Sequence, residues 1–239
     1  MAMLFAPIVP IPMLNSIQND RYHMILPHLL KNKDYASFYS QVEGFKILDN
    51  GAAEREDTNL ETLLVWAKRL AVDEVVMPDE YDNTWMTCQL LDRYKVFFSD
   101  IPFMVVLHAK DWSEFEYVLA HAIRHGASSV GLPRVMCIHL GADARVTGAR
   151  IVRQFTDMPI HALGSTLHLD EAKELAHLGL VRGIDTSAPV VQGLADRGID
   201  EAYALRGTDF FRQQPNRQAE VNLDKFRSWC SETGSGAVS

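Results

Sequence analysis

The sequence predicts an α/β barrel of the (β/α)8 type with parallel strands. Short apolar segments alternate with amphipathic segments at least six times, and the connections between them are short, a pattern typical of a parallel sheet with right-handed crossovers. The strand segments do not alternate with polar residues, as expected when both faces of a sheet are buried. A length of 239 residues suits one barrel. No GxGxxG or phosphate-binding loop follows the early strands, which disfavours an open doubly wound sheet.

Seven strands are predicted from these apolar runs and the turn residues that end them. They are Tyr22–Leu26, Phe45–Leu48, Glu74–Met77, Pro102–Leu107, Ser128–Leu132, Ile160–Leu163 and Leu180–Ile184. For the eighth strand two candidates stay open, Leu4–Val9 and Ala202–Leu205. Prolines 7, 10 and 12 predict that residues 1–20 form an extended segment, which could act as a lid across one end of the fold.

The predicted helices have apolar stripes at helical spacing and capping residues at their ends. They cover Asp34–Val42, Thr58–Ala71, Asn83–Phe98, Trp112–His125, Ala144–Phe155, Leu169–Ala176 and Val221–Trp229. Residues 192–239 are expected to be an irregular C-terminal region that ends in the last of these helices. The whole chain, 1–239, is predicted to be a single barrel domain.

The composition excludes several classes of protein. The three cysteines are far apart and show no ligand spacing, and the nine histidines suggest no metal spacing either, so no disulfide framework, metal site or cofactor is predicted. A net charge of −8 argues against a broad basic coat for nucleic acid, although not against a local basic groove. The prolines interrupt the apolar N-terminus and no basic segment precedes it, so we expect no signal peptide, no membrane span and a cytoplasmic location.

An aspartate follows three of the predicted strands: Asp49 after FKIL, Asp79 after VVMP and Asp185 after VRGI. In a barrel of this type, the carboxyl ends of the strands form the active-site face. One aspartate in a loop most often starts a turn or caps a helix. Three at equivalent positions indicate a site instead.

Paired carboxylates can act on a glycosidic carbon. One attacks the carbon while the other manages the proton of the leaving or entering group, provided that their environments separate their pKa values. The third aspartate could accept hydrogen bonds from donors on a substrate ring. A divalent metal ion held by all three is an alternative that the sequence leaves open.

Several segments occur in the order of a known family. PIHALG, GIDTSAP and the helix between them resemble the P-(H/Y)-x-L-x-G and G-(I/V)-D strand ends of the tRNA-guanine transglycosylase family. FKILDNGAAE resembles its D-S-G-G-F segment, DEVVMPDE the strand that carries its base-reading aspartate, SSVGLPR its V-G-G-L segment, and EVNLDKFRSW its closing helix. The resemblance runs from Phe45 to Trp229.

This resemblance implies a barrel that exchanges guanine for a 7-deazaguanine base in nucleic acid, through a covalent aspartyl–sugar intermediate, and hence a pentosyltransferase. It implies that Asp185 is the nucleophile, Asp49 the general acid/base and Asp79 the group that reads the base. The other residues that it assigns to substrate binding are Asn50, Gly51, Gly131, Leu163, Gly164 and His108.

The chain also departs from this family. It lacks the Cys-x-Cys-x-x-Cys…His zinc-binding insert, Leu107-His108 stand where the family has a glutamine, and Ala52 and Ala53 replace an aromatic residue. A compact chain without zinc resembles the short phage and bacterial DNA deazaguanine transglycosylases of the DpdA type. DNA is therefore the favoured substrate over tRNA, with the host cytoplasm as the location of a phage-encoded enzyme.

Nucleic-acid contacts are predicted from arginines. Arg134, Arg145, Arg150 and Arg153 follow one strand, and Arg197 and Arg206 belong to an arginine-containing C-terminal region. Arg134, Arg197 and Arg206 are the predicted phosphate contacts. For the group after the strand, a solvated helix face with ordinary ion pairs is an equal alternative.

Three alternatives to a DNA-modifying enzyme stay open. The first is a tRNA-guanine transglycosylase, and the second is a non-catalytic barrel subunit that binds nucleic acid for a partner enzyme. The third is a metal-assisted lyase or hydrolase barrel. A homodimer or a partner protein is compatible with each of them.

Overall fold

The computed structural model describes residues 2–52, 59–164, 170–201 and 206–232. Eight parallel strands form one sheet in which neighbours along the chain are neighbours in space. They are β1 (Leu4–Pro7), β2 (Tyr22–Ile25), β3 (Phe45–Leu48), β4 (Glu74–Val76), β5 (Phe103–Val106), β6 (Ser129–Pro133), β7 (Ile160–Leu163) and β8 (Gly183–Thr186). The predicted (β/α)8 barrel is confirmed, and all seven proposed strands are present.

The N-terminal segment supplies the eighth strand. β1 pairs in parallel with β8, so that Ala6 lies opposite Asp185, and it also lies beside β2. The prediction of an extended lid is therefore wrong, since this segment belongs to the barrel wall and continues as a 3-10 helix at Ile11–Ile17. Pro12 is accommodated in the first turn of that helix, where its missing N–H is not needed. The other candidate, Ala202–Leu205, lies outside the described residues.

Helices connect most of the strands and cover the outside of the barrel. They are α1 (Lys33–Gln41), α2 (Leu60–Arg69), α3 (Thr84–Tyr94), α4 (Trp112–Arg124), α5 (Met136–Leu140), α6 (Ala144–Phe155), α7 (Asp170–Leu178), α8 (Ala188–Leu194) and α9 (Arg217–Ser231). Further 3-10 helices lie at Pro27–Lys31, Lys95–Phe98 and Phe210–Arg212. Most of the predicted helices begin and end within a few residues of these bounds.

Two helices follow β8, where the sequence predicted an irregular region and one helix. α8 was not predicted, and Pro189 lies in its first turn. α9 is longer than the predicted Val221–Trp229 and packs against both α8 and β1. Gly193 allows the close approach of α8 and α9, because a Cβ at this position would lie 2.2 Å from the Cα of Ala219.

The barrel interior and the space beneath the helices form one hydrophobic core. Most of the strand residues are buried, in agreement with the continuous apolar runs. Among the residues that the structure describes, none of the helices has the length and apolar character needed to cross a membrane.

Candidate active site

A cavity of about 440 Å³ opens at the carboxyl ends of the barrel strands. All three predicted aspartates line it, because β3, β4 and β8 run in parallel and end on the same side of the barrel. The floor includes apolar side chains, among them Met24 and Val76. A cavity of this size, with an apolar floor and a polar rim, is typical of a site for a small molecule.

Asp185 is held from two directions. The Nε2 of His161 lies 3.0 Å from Asp185 Oδ1, and the backbone N–H of Gly164 donates to the same oxygen at 3.1 Å. Gly164 has a φ of +69°, a conformation that glycine adopts without strain, and this turns its N–H toward the carboxylate. The Asp185 side chain is 15% exposed, which leaves it accessible from the cavity.

A buried chain of hydrogen bonds orients His161. The Nδ1 of His161 lies 2.8 Å from the hydroxyl of Tyr22, which accepts a bond from Arg182 Nε at 3.0 Å. The Tyr22 hydroxyl therefore donates its own hydrogen to Nδ1, so that the proton on Nε2 of His161 points at Asp185. Burial raises the pKa of Tyr22 well above the ordinary value and outweighs the opposing effect of Arg182, which keeps the hydroxyl protonated.

This series of hydrogen bonds ends at a second carboxylate, that of Glu74, near the opposite face of the barrel. Arg182 forms an ion pair with Glu74, which also accepts a hydrogen bond from Ser128 Oγ at 3.0 Å. Gly183 makes room for the ring of Tyr22, since a Cβ there would lie 2.5 Å from its Cε1. Two carboxylates, Glu74 and Asp185, are thus joined through the barrel interior.

Asp79 has its own histidine. The Nδ1 of His108 accepts the backbone N–H of Asp82 at 3.3 Å, so that Nε2 carries the proton and donates to Asp79 Oδ2 at 3.0 Å. The other oxygen, Oδ1, accepts a bond from Asn50 Nδ2 at 3.1 Å. The Asp79 side chain is only 4% exposed. These contacts place Asp79, His108 and Asn50 in one cluster, and their role in substrate binding stays a prediction.

Asp49 is held by its own turn. Its Oδ2 accepts the backbone N–H of Gly51 at 3.0 Å, and Gly51 has a φ of +82°. An Asn-Gly pair such as Asn50-Gly51 favours a sharp turn of this kind. Asp49 lines the cavity and is half-buried, whereas Gly51 does not contribute to the described lining.

A buried ion pair supports the loop after β7. Arg145 is fully buried and donates to Glu171 Oε1 at 2.8 Å and to the carbonyls of Leu163 and Gly164 at 3.1 and 2.8 Å. Its predicted role as one of a group of phosphate-binding or solvated arginines is therefore wrong, because its donors are used inside the protein. Arg145 acts instead on the loop that presents Gly164 N–H to Asp185.

The remaining predicted residues have different positions. Leu163, Gly164, Arg134 and Arg206 line the cavity. Gly131 does not line the described part of the cavity; it lies within β6, where a Cβ would approach Leu163 Cδ1 to 2.7 Å and Met104 Sδ to 3.0 Å. Its small size therefore serves packing.

Arg197 lies apart from the described cavity lining. Its backbone carbonyl accepts a bond from Asn222 Nδ2 at 2.9 Å, which joins the loop after α8 to α9. The contact of Arg134, Arg197 and Arg206 with nucleic acid stays a prediction, and so do a partner protein and a homodimer.

The three aspartates do not form a metal site in the described part of the chain. Their carboxylate oxygens do not all come within ligand distance of one another, whereas Asp92, His121 and His125, on α3 and at the end of α4, do. The alternative of a divalent ion held jointly by Asp49, Asp79 and Asp185 is not supported by this geometry.

Comparison with solved structures supports the barrel fold of this protein. No protein-family model and no curated protein matches the chain. The crystal structure of the YdjI aldolase from Escherichia coli K12 is similar over 98% of this chain and 92% of that chain, with 12% identity and a TM-score of 0.58. Oxaloacetate acetylhydrolase in complex with its product oxalate is similar over 78% of this chain and 75% of that chain, with 12% identity and a TM-score of 0.51.

The same acetylhydrolase with the inhibitor 3,3-difluorooxalacetate gives a TM-score of 0.50 at 10% identity, over 78% of this chain and 75% of that chain. These structurally similar proteins are enzymes, and their folds agree with the predicted barrel. They are an aldolase and an acetylhydrolase rather than transglycosylases. The prediction of guanine exchange, in DNA or in tRNA, is therefore contradicted.

Proposed function

We propose that the protein is an enzyme of the lyase type, which breaks or forms a bond next to the carbonyl group of a small, oxygen-rich substrate. The observation that carries the proposal is the barrel-mouth cavity with Asp185 held by His161 and Gly164. Both N–H bonds fix the orientation of this carboxylate and leave its second oxygen available to accept a proton, as a general base requires. The structurally similar aldolase and acetylhydrolase favour this class over the other enzyme classes.

Asp185 is the proposed base. Both described bonds end on Oδ1, so Oδ2 is the atom that would take the proton from a substrate hydroxyl. The carbon–carbon bond next to that hydroxyl then breaks, a carbonyl forms, and the electron pair moves onto the second fragment as an enolate. A proton from solvent, relayed by Asp49 on the wall of the same cavity, would add to the enolate carbon, and Asp185 would release its proton to solvent, which balances the reaction.

The cavity suggests the kind of substrate. Asp79, held by Asn50 and His108, keeps further lone pairs for hydroxyl or N–H donors of a ligand. Arg134 and Arg206 line the same cavity and offer positive charge to a carboxylate or phosphate. A hydroxy-acid or oxo-acid satisfies both kinds of partner.

The proposal is tested by incubating the protein with a panel of small hydroxy-acids, oxo-acids and hydroxylated carbonyl phosphates, and by following bond cleavage by NMR. With a substrate from this panel, Asp185→Asn is expected to lower kcat by about 10²- to 10⁴-fold, the usual contribution of a general base. Asp79→Asn is expected to raise KM mainly, because it contacts the substrate in both ground and transition states.

Asp100→Asn is the matched control, because Asp100 is exposed and outside the described cavity lining. Wild-type turnover in Asp185→Asn would contradict the assignment of the base. Absence of turnover and of ligand-induced stabilisation with every member of the panel would contradict the substrate class.

A further inference from the structure

A cluster of side chains that can act as metal ligands lies on the outer helices, away from the cavity. His121 and His125 are four residues apart at the end of α4, which places both imidazoles on the same side of the helix. Asp92, from the neighbouring α3, faces them. The outer helices run antiparallel to the strands, so the C-terminal parts of α3 and α4 lie toward the face of the barrel opposite the cavity.

The three side chains converge on one point. The Nε2 atoms of His121 and His125 lie 3.1 and 2.9 Å from the same oxygen, Asp92 Oδ1, and the three ligand atoms are all within 4.8 Å of one another. In a tetrahedral zinc site with bonds of about 2.0–2.1 Å, neighbouring ligand atoms are about 3.3–3.4 Å apart. The two nitrogen–oxygen distances of 3.1 and 2.9 Å are a few tenths of an ångström shorter than this spacing, so a small outward movement of Asp92 would open space for an ion.

The two imidazoles of this cluster are buried against neighbouring side chains, whereas the carboxylate side is open, so that an ion could enter from solvent. The side chains of His121 and His125 are 8% and 11% exposed, and the ring of Tyr117 stacks on His121 at 6.0 Å between centroids. Asp92 is 55% exposed, so its side of the cluster is open to water. Two buried imidazoles and one exposed carboxylate would leave a fourth coordination position for a water molecule.

We propose that Asp92, His121 and His125 bind one divalent transition-metal ion, with Zn²⁺ as the best fit. Two nitrogen ligands and one oxygen ligand match zinc and its neighbours Co²⁺ and Ni²⁺, whereas Mg²⁺ and Ca²⁺ require mainly oxygen. The site is separate from the barrel mouth and does not depend on the function proposed for it.

Lys95 competes with the ion. Its Nζ lies 2.6 Å from Nδ1 of His125 and, as an ammonium, donates to it. The proton of the neutral imidazole is then on Nε2, where it points at Asp92. Metal binding through Nε2 requires that this proton move to Nδ1, which breaks the bond to Lys95. We therefore expect Lys95 to weaken binding rather than to assist it.

The test is titration of tag-free full-length protein with Zn²⁺ by calorimetry, and with Co²⁺ by visible absorption, which reports on the ligand geometry. One ion per chain is expected, with a dissociation constant that rises at least 10-fold in His121→Gln and His125→Gln. Lys95→Met is expected to lower it severalfold. Circular dichroism and thermal unfolding of each variant establish that it folds.

His139→Gln is the matched control, because His139 also pairs with one carboxylate, Asp82, but lacks a second histidine in the described structure. Its affinity should equal that of the wild type. The proposal is overturned if wild-type protein binds no Zn²⁺ at tens of micromolar, or if His121→Gln and His125→Gln bind as tightly as the wild type. An unchanged affinity in Lys95→Met would overturn the role of Lys95.

Discussion

At the scale of single residues, histidine placement distinguishes the three aspartates of the cavity. Asp185 and Asp79 each receive the Nε2 proton of a buried histidine, His161 or His108. Asp49 is held by a backbone N–H of its own turn. Asp185 and Asp79 are therefore oriented by side chains that are distant in sequence, whereas Asp49 is oriented by a neighbouring residue.

Three buried tyrosines make the protein sensitive to alkaline pH. Burial raises the pKa of Tyr22, Tyr35 and Tyr39 above the ordinary value of 10.0. In the unfolded chain these hydroxyls lose their protons near pH 10, whereas in the folded protein they keep them. The folded state therefore binds more protons above that pH, and the free energy of unfolding falls as the pH rises. Below pH 10 their contribution is fully present.

We expect the free energy of unfolding, measured by urea denaturation between pH 8 and 11, to fall above pH 10 by up to about 1.4 kcal/mol per pH unit for each tyrosine. Tyr39→Phe should reduce this slope. Tyr117→Phe is the control, since Tyr117 is 44% exposed. Equal slopes in wild type and Tyr39→Phe would contradict the explanation.

At the scale of elements, close helix contact shapes the C-terminal region. Gly193 in α8 faces the backbone of α9, where a Cβ would lie 2.2 Å from Ala219 Cα and 2.3 Å from Ala219 N. Backbone atoms of a packed helix cannot move aside as a flexible side chain can. The two helices are also joined by hydrogen bonds from Asn216 and Asn222 to the α8 segment.

Gly193→Ala is expected to separate α8 from α9 and to destabilise the protein by roughly 1–3 kcal/mol or more, the usual cost of overpacking. Gly207→Ala is the matched control, because among the described residues its Cβ would meet just the side-chain oxygen of exposed Asp209, at 3.0 Å. The measurement is the free energy of unfolding in urea. Similar stabilities for the two variants would refute the close-contact argument.

Element boundaries were largely predictable, because they depend on local signals. Apolar runs ended by glycine, proline or aspartate located β3 and β7 residue for residue. β1 was one of two candidates, since a short apolar run rich in proline has no clear local preference. α8 was missed because Pro189 signals a turn as readily as the first turn of a helix.

At the scale of the whole molecule, α9 links the two ends of the chain. Phe226 on α9 and Phe5 on β1 have ring centroids 4.5 Å apart, and Phe226 is fully buried. β1 in turn pairs with β8, which carries Asp185. The packing of the C-terminal helix therefore supports the strand beside the candidate active site.

Phe226→Ala is expected to lower the global free energy of unfolding by about 3–5 kcal/mol, the usual cost of removing a buried aromatic ring. Val221→Ala on the same helix is the control, because Val221 is 48% exposed, and its effect should stay within about 0.5 kcal/mol. Denaturation followed by tryptophan fluorescence and circular dichroism measures both. A Phe226→Ala effect as small as that of the control would show that α9 does not support the barrel.

The sequence by itself determined the barrel class and the three aspartates at the strand ends, because hydrophobic periodicity and turn residues act over a few neighbouring positions. Only the tertiary structure decided what surrounds those aspartates. Tyr22 meets His161 across 139 positions, and Arg182 meets Tyr22 and Glu74 across 160 and 108. The resemblance in local motifs predicted a nucleophile for guanine exchange, and the comparison of whole folds contradicted it. Local spacing carries no information on such distant partners, because barrel closure alone brings them together.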